Sequence, residues 1–311
     1  MKYNIQKIIA YIFAVLIFVF IVKIAWGQWN EISNIDFSFN LFYLLLAFVF
    51  GFLNLCALAF VWYLLLKRID SSVKLTQIRV LDIFIKSWLG RYMPGKVWLY
   101  LGKIYLGDKV GVNKKTLSFS VFFEGILSVI GHLIMALIFS LILFKNIFPF
   151  QYFLFSTVII IIFILLILNK NILYFFVELF SKIKKININK KDFFDTKEII
   201  VFSLAYALQS FLVGVAVLFL YYAIFNFEQG IFILGSFVVA NFIAKISFIF
   251  PAGIGAREGA WIVLLINYIS LSIASLISVL SRIFLIIIDV LFYIFVLILK
   301  YYKAPKQLSA E

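Results

Sequence analysis

Residues 78–102 read IRVLDIFIKSWLGRYMPGKVWLYLG, a stretch that fits neither a loop nor a membrane-crossing helix. Ile78, Leu81, Ile85, Trp88 and Tyr92 recur at helical spacing, while Arg79, Asp82 and Lys86 form a polar face with Asp82 and Lys86 at i,i+4. Pro94-Gly95 then breaks the helix, because proline lacks a backbone donor and clashes with the preceding turn. The pattern predicts a broken helical hairpin at the inner face of a membrane. A second interruption, PAGIGAREGA at 251–260, follows the apolar run 231–250. The apolar piece after it, 261–270, is too short to cross a bilayer at about 1.5 Å per residue.

Composition supplies the setting. Of 311 residues, 65% are hydrophobic, 14% are charged and 39 are Phe. A soluble domain is about half apolar and about a quarter charged, so a water-soluble globule is excluded. One His (His132) and one Cys (Cys56) leave no material for His/Cys metal clusters, Cys-His nucleophile pairs or disulfide frameworks. No cofactor, metal or catalytic residue is expected. No polar stretch is long enough for a soluble domain, and the whole chain, 1–311, reads as one integral membrane domain.

Outward from the two interruptions, six apolar runs have the length of a crossing: 8–26, 41–66, 117–144, 150–168, 199–225 and 271–299. The first resembles a signal peptide but lacks a small-x-small cleavage site, so it reads as a retained helix. The basic stretch 169–198 carries an apolar stripe, Ile172, Phe176, Leu179 and Ile183, suited to the surface of the inner leaflet. The fold class is therefore an all-α polytopic membrane protein, with about six full transmembrane helices and two Pro/Gly-broken re-entrant hairpins.

The net charge of +14 would suggest nucleic acid in a soluble protein. Its placement says otherwise. Of the 28 Lys and Arg, 23 fall in segments that alternate onto one side, and only Lys145 falls on the other. The linker 27–40 has no Lys or Arg and reads as external. Because basic loops resist translocation, both termini are expected on the cytoplasmic side of the cytoplasmic membrane. Lys23, Lys245, Arg257 and Arg282 remain within or near apolar segments.

Pro94 and Pro251 lie about half a chain apart, and each half reads as span, span, broken hairpin, span. Three crossings per half place the second half, 150–311, upside down relative to the first, 1–144. Gly/Pro-interrupted segments at matching positions of inverted halves point to a transporter's binding site.

Two clusters are the candidate substrate-binding residues. Around the first break stand Arg91, Tyr92, Pro94, Gly95 and Lys96, with Lys103 beyond; the guanidinium fork and the ammonium suit a phosphate. Around the second stand Pro251, Gly253, Gly255, Arg257 and Glu258, where closely spaced glycines admit unusual dihedrals. Gly255 and Gly259 also form GxxxG, which by itself would indicate only helix packing. Glu124, Arg282 and Asp289 are the candidates for charge pairing or proton coupling, because a lone charge in a span costs roughly 2.5–3.5 kcal/mol. Structural salt bridges between helices are the plainer reading of the same residues. His132 reads as a hydrogen-bonded packing residue.

LGRYMPGKVW (89–98) and FPAGIGAREGA (250–260) resemble the two signature regions of the lysylphosphatidylglycerol synthase transmembrane-region family, the flippase-like membrane proteins. The resemblance covers essentially the whole span pattern. It implies a membrane domain that translocates lipids, as in multiple peptide resistance proteins, where aminoacylated phosphatidylglycerol is moved between leaflets. No soluble synthase domain is read between Met1 and Glu311, so synthase activity is not expected, and the lipid can be a different one, polyprenyl-linked or glycosylated.

The leading expectation is a lipid flippase for an anionic or phosphate-containing lipid. The alternatives are a membrane-embedded enzyme of lipid or glycan-lipid assembly, or an accessory subunit for a separate synthase or glycosyltransferase. The expected partners are membrane lipids, anionic or polyprenyl-linked, and not nucleic acid.

Overall fold

The computed structural model describes residues 39–92, 97–144, 193–225, 229–247 and 255–308, with scattered helical positions between 158 and 178. The expected first span at 8–26, the linker up to residue 38, most of the expected fourth span and of 169–192, and the break residues Met93 to Lys96 and Pro251 to Ile254 lie outside the described residues. Among the described residues all regular structure is helical: α1 (Leu41–Ile69), α2 (Gln77–Leu89), α3 (Val97–Asp108), α4 (Lys114–Phe144), α5 (Thr196–Ile224), α6 (Gly230–Ile246), α7 (Ala256–Leu265) and α8 (Leu271–Leu308). Four of these are long and apolar enough to cross a membrane: α1, α4 over Lys114–Leu143, α5, and α8 over Leu271–Tyr302.

The pair α1/α5 forms the spine. Asn40 caps α1 by accepting hydrogen bonds from Phe42 N and Tyr43 N at 3.0 and 3.4 Å, and its own N–H bonds Ala223 O at the end of α5 at 2.9 Å. At the other end Arg68 forms a two-pronged ion pair with Glu198, whose second bond is 3.0 Å. The two helices therefore run antiparallel and are pinned at both ends. Asp70 stops α1; hydrogen bonds from the Ser72 hydroxyl and N–H hold its carboxyl below the usual carboxylate range. Thr116 at the start of α4 reaches Asp70 at 3.2 Å, and Lys300 on α8 reaches Asp82 on α2 at 2.9 Å. Lys67, Arg68, Lys114, Lys115, Lys197 and Lys300 thus gather at one end of the bundle.

Between the long helices sit two short-helix pairs. Helices α2 and α3 pack against each other and open toward the basic end. Helices α6 and α7 also pack together and open toward the opposite end, where Phe232 stacks on Tyr268 at 4.0 Å and Tyr268 donates to Leu143 O at 2.8 Å. The packing has a notable regularity. Exchanging α1 with α5, α2 with α6, α3 with α7 and α4 with α8 turns every substantial helix contact into another one that is also present. Thus α4 packs on α6 as α8 packs on α2, and α4 packs on α5 as α8 packs on α1.

The protein-facing side of α2 is Val80, Ile83, Phe84 and Ser87, together with Ile85, whereas Ile78, Leu81 and Trp88 are only half-buried. In a bilayer the largest apolar stripe can face lipid, and close helix contact favours small residues: Ser87 lies where a Cβ on Gly102 would come within 2.9 Å. The last helix continues past Lys300 to Leu308. GxxxG packing does not account for Gly259, since an added Cβ there meets nothing within 4 Å among the described residues, while Gly255 is demanded by its φ of 84°.

At the α4/α5 crossing a Cβ on Gly131 would stand 2.4 Å from Ser203 O and 2.7 Å from Ala207 N, backbone atoms that cannot rotate away. Gly131→Ala is expected to destabilise the fold by about 1–3 kcal/mol, visible as a lower thermal midpoint in detergent. Gly125→Ala, on the same helix with no described atom within 4 Å of the added Cβ, should not lower the midpoint.

Candidate functional site

The tips of both short-helix pairs and the middles of the four long helices line a cavity of about 170 Å³. From the α2/α3 tip come Trp88, Arg91 and Tyr100; from the α6/α7 tip come Asn241, Lys245 and Arg257; from the long helices come Asn54, His132, Gln209, Arg282 and Asp289. Arg91 and Arg257, assigned from sequence to two separate breaks, thus line one space.

Asp289 is the anchor of the first tip. Its Oδ1 accepts from Trp88 Nε1 at 3.0 Å, and its Oδ2 accepts from Arg91 and from Tyr92 OH, both at 2.6 Å. The Arg91 guanidinium also lies over the Trp88 ring at 4.3 Å from its centroid. Three donors from one helix end converge on one carboxylate of α8, which fixes the orientation of the tip. That carboxylate is only 2% exposed.

Glu258 does the equivalent work at the second tip. Its Oε2 accepts the Gly255 N–H at 2.7 Å, capping the first turn of α7, and its Oε1 pairs with Arg257 at 2.7 Å and with Arg282 on α8 at 3.5 Å. A carboxylate in the first turn also faces the positive end of the helix dipole. Arg257 lies 5.3 Å from the Phe237 ring centroid. Trp261, one turn on, donates to Ser236 at 2.9 Å and ties α7 to α6.

Glu124 belongs to a different place. It pairs with Lys103 at 2.6 and 2.7 Å, joining α3 to α4 away from the cavity wall. Lys103 is fully buried and sits 5.0 Å from the Trp62 and Phe84 ring centroids. Glu124, a candidate for charge pairing, thus meets Lys103, the lysine beyond the first break, as a salt bridge between helices.

The site repeats the regularity of the packing. Asn54 stands thirteen places after the first residue of α1 and Gln209 thirteen after that of α5, and the two are hydrogen-bonded at 2.5 Å. His132 stands eighteen places into α4 and Asp289 eighteen into α8. The pair Lys103–Glu124 joins α3 to α4 as Glu258–Arg282 joins α7 to α8, with the signs reversed.

Of the residues picked from sequence, Arg91, Tyr92 and Asp289 form one knot and Gly255, Arg257, Glu258 and Arg282 another. Pro94, Gly95, Lys96, Pro251 and Gly253 lie outside the described residues. Missed were Trp88, Tyr100, Asn54, Gln209, Asn241 and Lys245. The lone amides Asn54, Gln209 and Asn241 and the lone Lys245 inside apolar runs were the available signal, since polar groups at membrane depth are costly and rarely idle. His132 donates through Nδ1 to Ser128 O at 2.7 Å, as a packing histidine would, yet also lines the cavity.

Long apolar helices surrounding a buried polar cavity define a multi-pass membrane protein. Its family follows from comparison: the model for the lysylphosphatidylglycerol synthase TM region matches residues 8–292, and the chain belongs to that family. The family carries a lipid-related function into the membrane domain. Neither the curated proteins nor the solved structures gave a match.

Removing one partner of a buried ion pair leaves an uncompensated charge, at about 3–5 kcal/mol. Glu124→Gln is therefore expected to lower the yield and thermal midpoint of purified protein sharply. The double variant Lys103→Met/Glu124→Met should recover most of the loss, because it removes both charges together.

Proposed function

We propose that the protein is a flippase that translocates an anionic or phosphate-containing lipid across the cytoplasmic membrane, with both termini cytoplasmic. The observation that carries this reading is the meeting of both helix-pair tips at one buried cavity halfway along the four long helices. Among the described residues, Arg91, Lys245, Arg257 and Arg282 line that cavity with one carboxylate, Asp289.

Residues 1–144 and 150–311 act as inverted halves of one membrane domain. Supporting this are the exchangeable helix packing, the Asn54–Gln209 bond between equivalent positions of α1 and α5, and the opening of the two short-helix pairs toward opposite ends. The pairs are re-entrant hairpins, one from each face, and with the spans at 8–26 and 150–168 they complete six crossings. The collection of basic residues at one end of the bundle sets that end in the cytoplasm. Rocking of one half against the other around the fixed cavity would expose it to each leaflet in turn.

In this reading Arg91 and Arg257 hold the lipid phosphate from opposite sides, and Asp289 and Glu258 keep each guanidinium aimed at it. Tyr92, Gly255 and Arg282 support these positions, and the break residues Pro94, Gly95, Lys96, Pro251 and Gly253 let the backbone approach the headgroup.

Purified protein in liposomes should accelerate the transbilayer movement of a fluorescent anionic phospholipid over protein-free vesicles. Arg91→Gln and Arg257→Gln should each slow it about tenfold or more, from the loss of a charge-assisted hydrogen bond of about 1.5–3 kcal/mol. No acceleration by the wild-type protein would refute the proposal, and unchanged rates in both variants would remove these residues from it.

A further inference from the structure

The polar groups around the cavity are sorted by wall. Among the described lining residues the charged ones, Arg91, Lys245, Arg257, Arg282 and Asp289, stand on the two tips or on α8. Helices α1, α4 and α5, which pack on one another, bring two amides and an imidazole as their polar lining: Asn54, Gln209 and His132.

Two atoms of this second wall are acceptors without a donor. Gln209 donates through Nε2 to Asn54 Oδ1 at 2.5 Å, and its Oε1 is buried with no hydrogen-bond partner among the described residues. The last side-chain torsion of a glutamine is soft, so a modest turn of the amide presents Oε1 to a group inside the cavity. His132 donates through Nδ1 to Ser128 O at 2.7 Å. A carbonyl oxygen only accepts, so the proton sits on Nδ1 and Nε2 carries the free lone pair of the neutral ring. Nε2 also has no hydrogen bond among the described residues. Gln209 and His132 are 4% and 3% exposed, and both line the cavity. Buried acceptors left without donors are costly.

Their complement in a ligand is a donor that carries no charge of its own. A neutral acceptor matches a neutral donor, whereas an ammonium buried at this wall meets no opposite charge from the lining residues of α1, α4 or α5. A hydroxyl also has lone pairs to offer in return. Asn241 on α6, whose amide has no hydrogen bond among the described residues, lines the same cavity and can donate to them.

We infer that α1, α4 and α5 form a hydroxyl-reading subsite, in which Gln209 and His132 accept from the hydroxyls of a polyol or sugar while the phosphate lies toward the tips. The inference rests on the reading of the cavity as the headgroup site and adds the class of cargo: an anionic lipid whose headgroup carries free hydroxyls, with or without an amine elsewhere on it.

The test measures lipid binding to the purified full chain in detergent by native mass spectrometry, and translocation separately in proteoliposomes. The probes are phosphatidylglycerol and phosphatidylpropanol, which share charge and headgroup carbon skeleton and differ in the hydroxyls alone. Phosphatidylglycerol should bind the wild-type protein about fivefold or more tightly, the yield of one or two neutral hydrogen bonds. Equal binding overturns the proposal without any variant. Gln209→Met and His132→Phe should each bring the ratio of the two affinities toward one, whereas Arg91→Gln should weaken both lipids alike and keep the ratio. Phosphatidylpropanol binding reports that a variant is folded, and a ratio unmoved in both wall variants overturns the assignment to this wall. A preference for phosphatidylethanolamine over phosphatidylethanol that disappears in the same two variants would show that the wall reads any donor, which overturns the assignment to a hydroxyl. Competition between phosphatidylglycerol and a polyprenyl phosphosugar separates polyol from sugar, both lying within the proposed class. Hydroxyl preference without translocation would sink the flippase reading and leave the subsite standing, and translocation without the preference would do the reverse.

Discussion

Burial of ionised groups in an apolar interior is the constraint on which the arrangement depends. A charge left alone at membrane depth costs roughly 2.5–3.5 kcal/mol even on the lenient insertion scale. Short helices such as α3 and α7 have little apolar area with which to fix themselves. Each is pegged by one carboxylate-cation contact to the long helix that follows it: Lys103 to Glu124 for α3, and Glu258 to Arg282 for α7. A third contact, Arg91 to Asp289, ties the tip of the first pair to the helix at the far end of the chain. Because these contacts lie in low dielectric they are directional and leave few alternative arrangements.

The interruptions were legible in the sequence because Pro and Gly act through the local backbone, and local rules can be read locally. The residues around 94 and 251 fall between two short helices each, α2 ending at Leu89 and α3 starting at Val97 in one case, α6 ending at Ile246 and α7 starting at Ala256 in the other. Pairing was not legible in the same way. Arg282 and Asp289 look like partners on one helix face, yet Arg282 goes to Glu258 and Asp289 goes to Arg91. Which carboxylate meets which cation is settled by how helices cross, and nothing within one helix encodes that.

The protein-facing side of α2 was not legible for a related reason. An apolar stripe identifies the buried side of a helix only when the other side is water. In a bilayer the polar/apolar contrast reports the distance from the membrane surface, and the side that meets protein is chosen by fit. Ser87 and Gly102 are the residues that permit close approach, and neither stands out in a hydropathy pattern. The amides Asn54 and Gln209 are the opposite case. Each is one polar residue in an apolar run, easily passed over singly, and they gain meaning only as the hydrogen-bonded pair at matching positions of α1 and α5.

That matching also shows where the two sets of helices have parted. The carboxylate that holds the first tip, Asp289, has an imidazole, His132, at the corresponding place eighteen residues into α4. The short-to-long pegs have opposite polarity, with the cation on α3 in one and on α8 in the other. Two halves with identical contacts would exchange roles at no net free-energy difference, so inward and outward arrangements would be equally populated. Here the first tip is held by three donors on one carboxylate, and the second tip has no carboxylate at the equivalent position. Under the proposed mechanism the two arrangements are therefore unequal in energy before any lipid binds. A ligand shifts such an equilibrium only by its difference in affinity for the two states. An anion held between Arg91 and Arg257 has that difference available whenever rocking moves the two relative to each other.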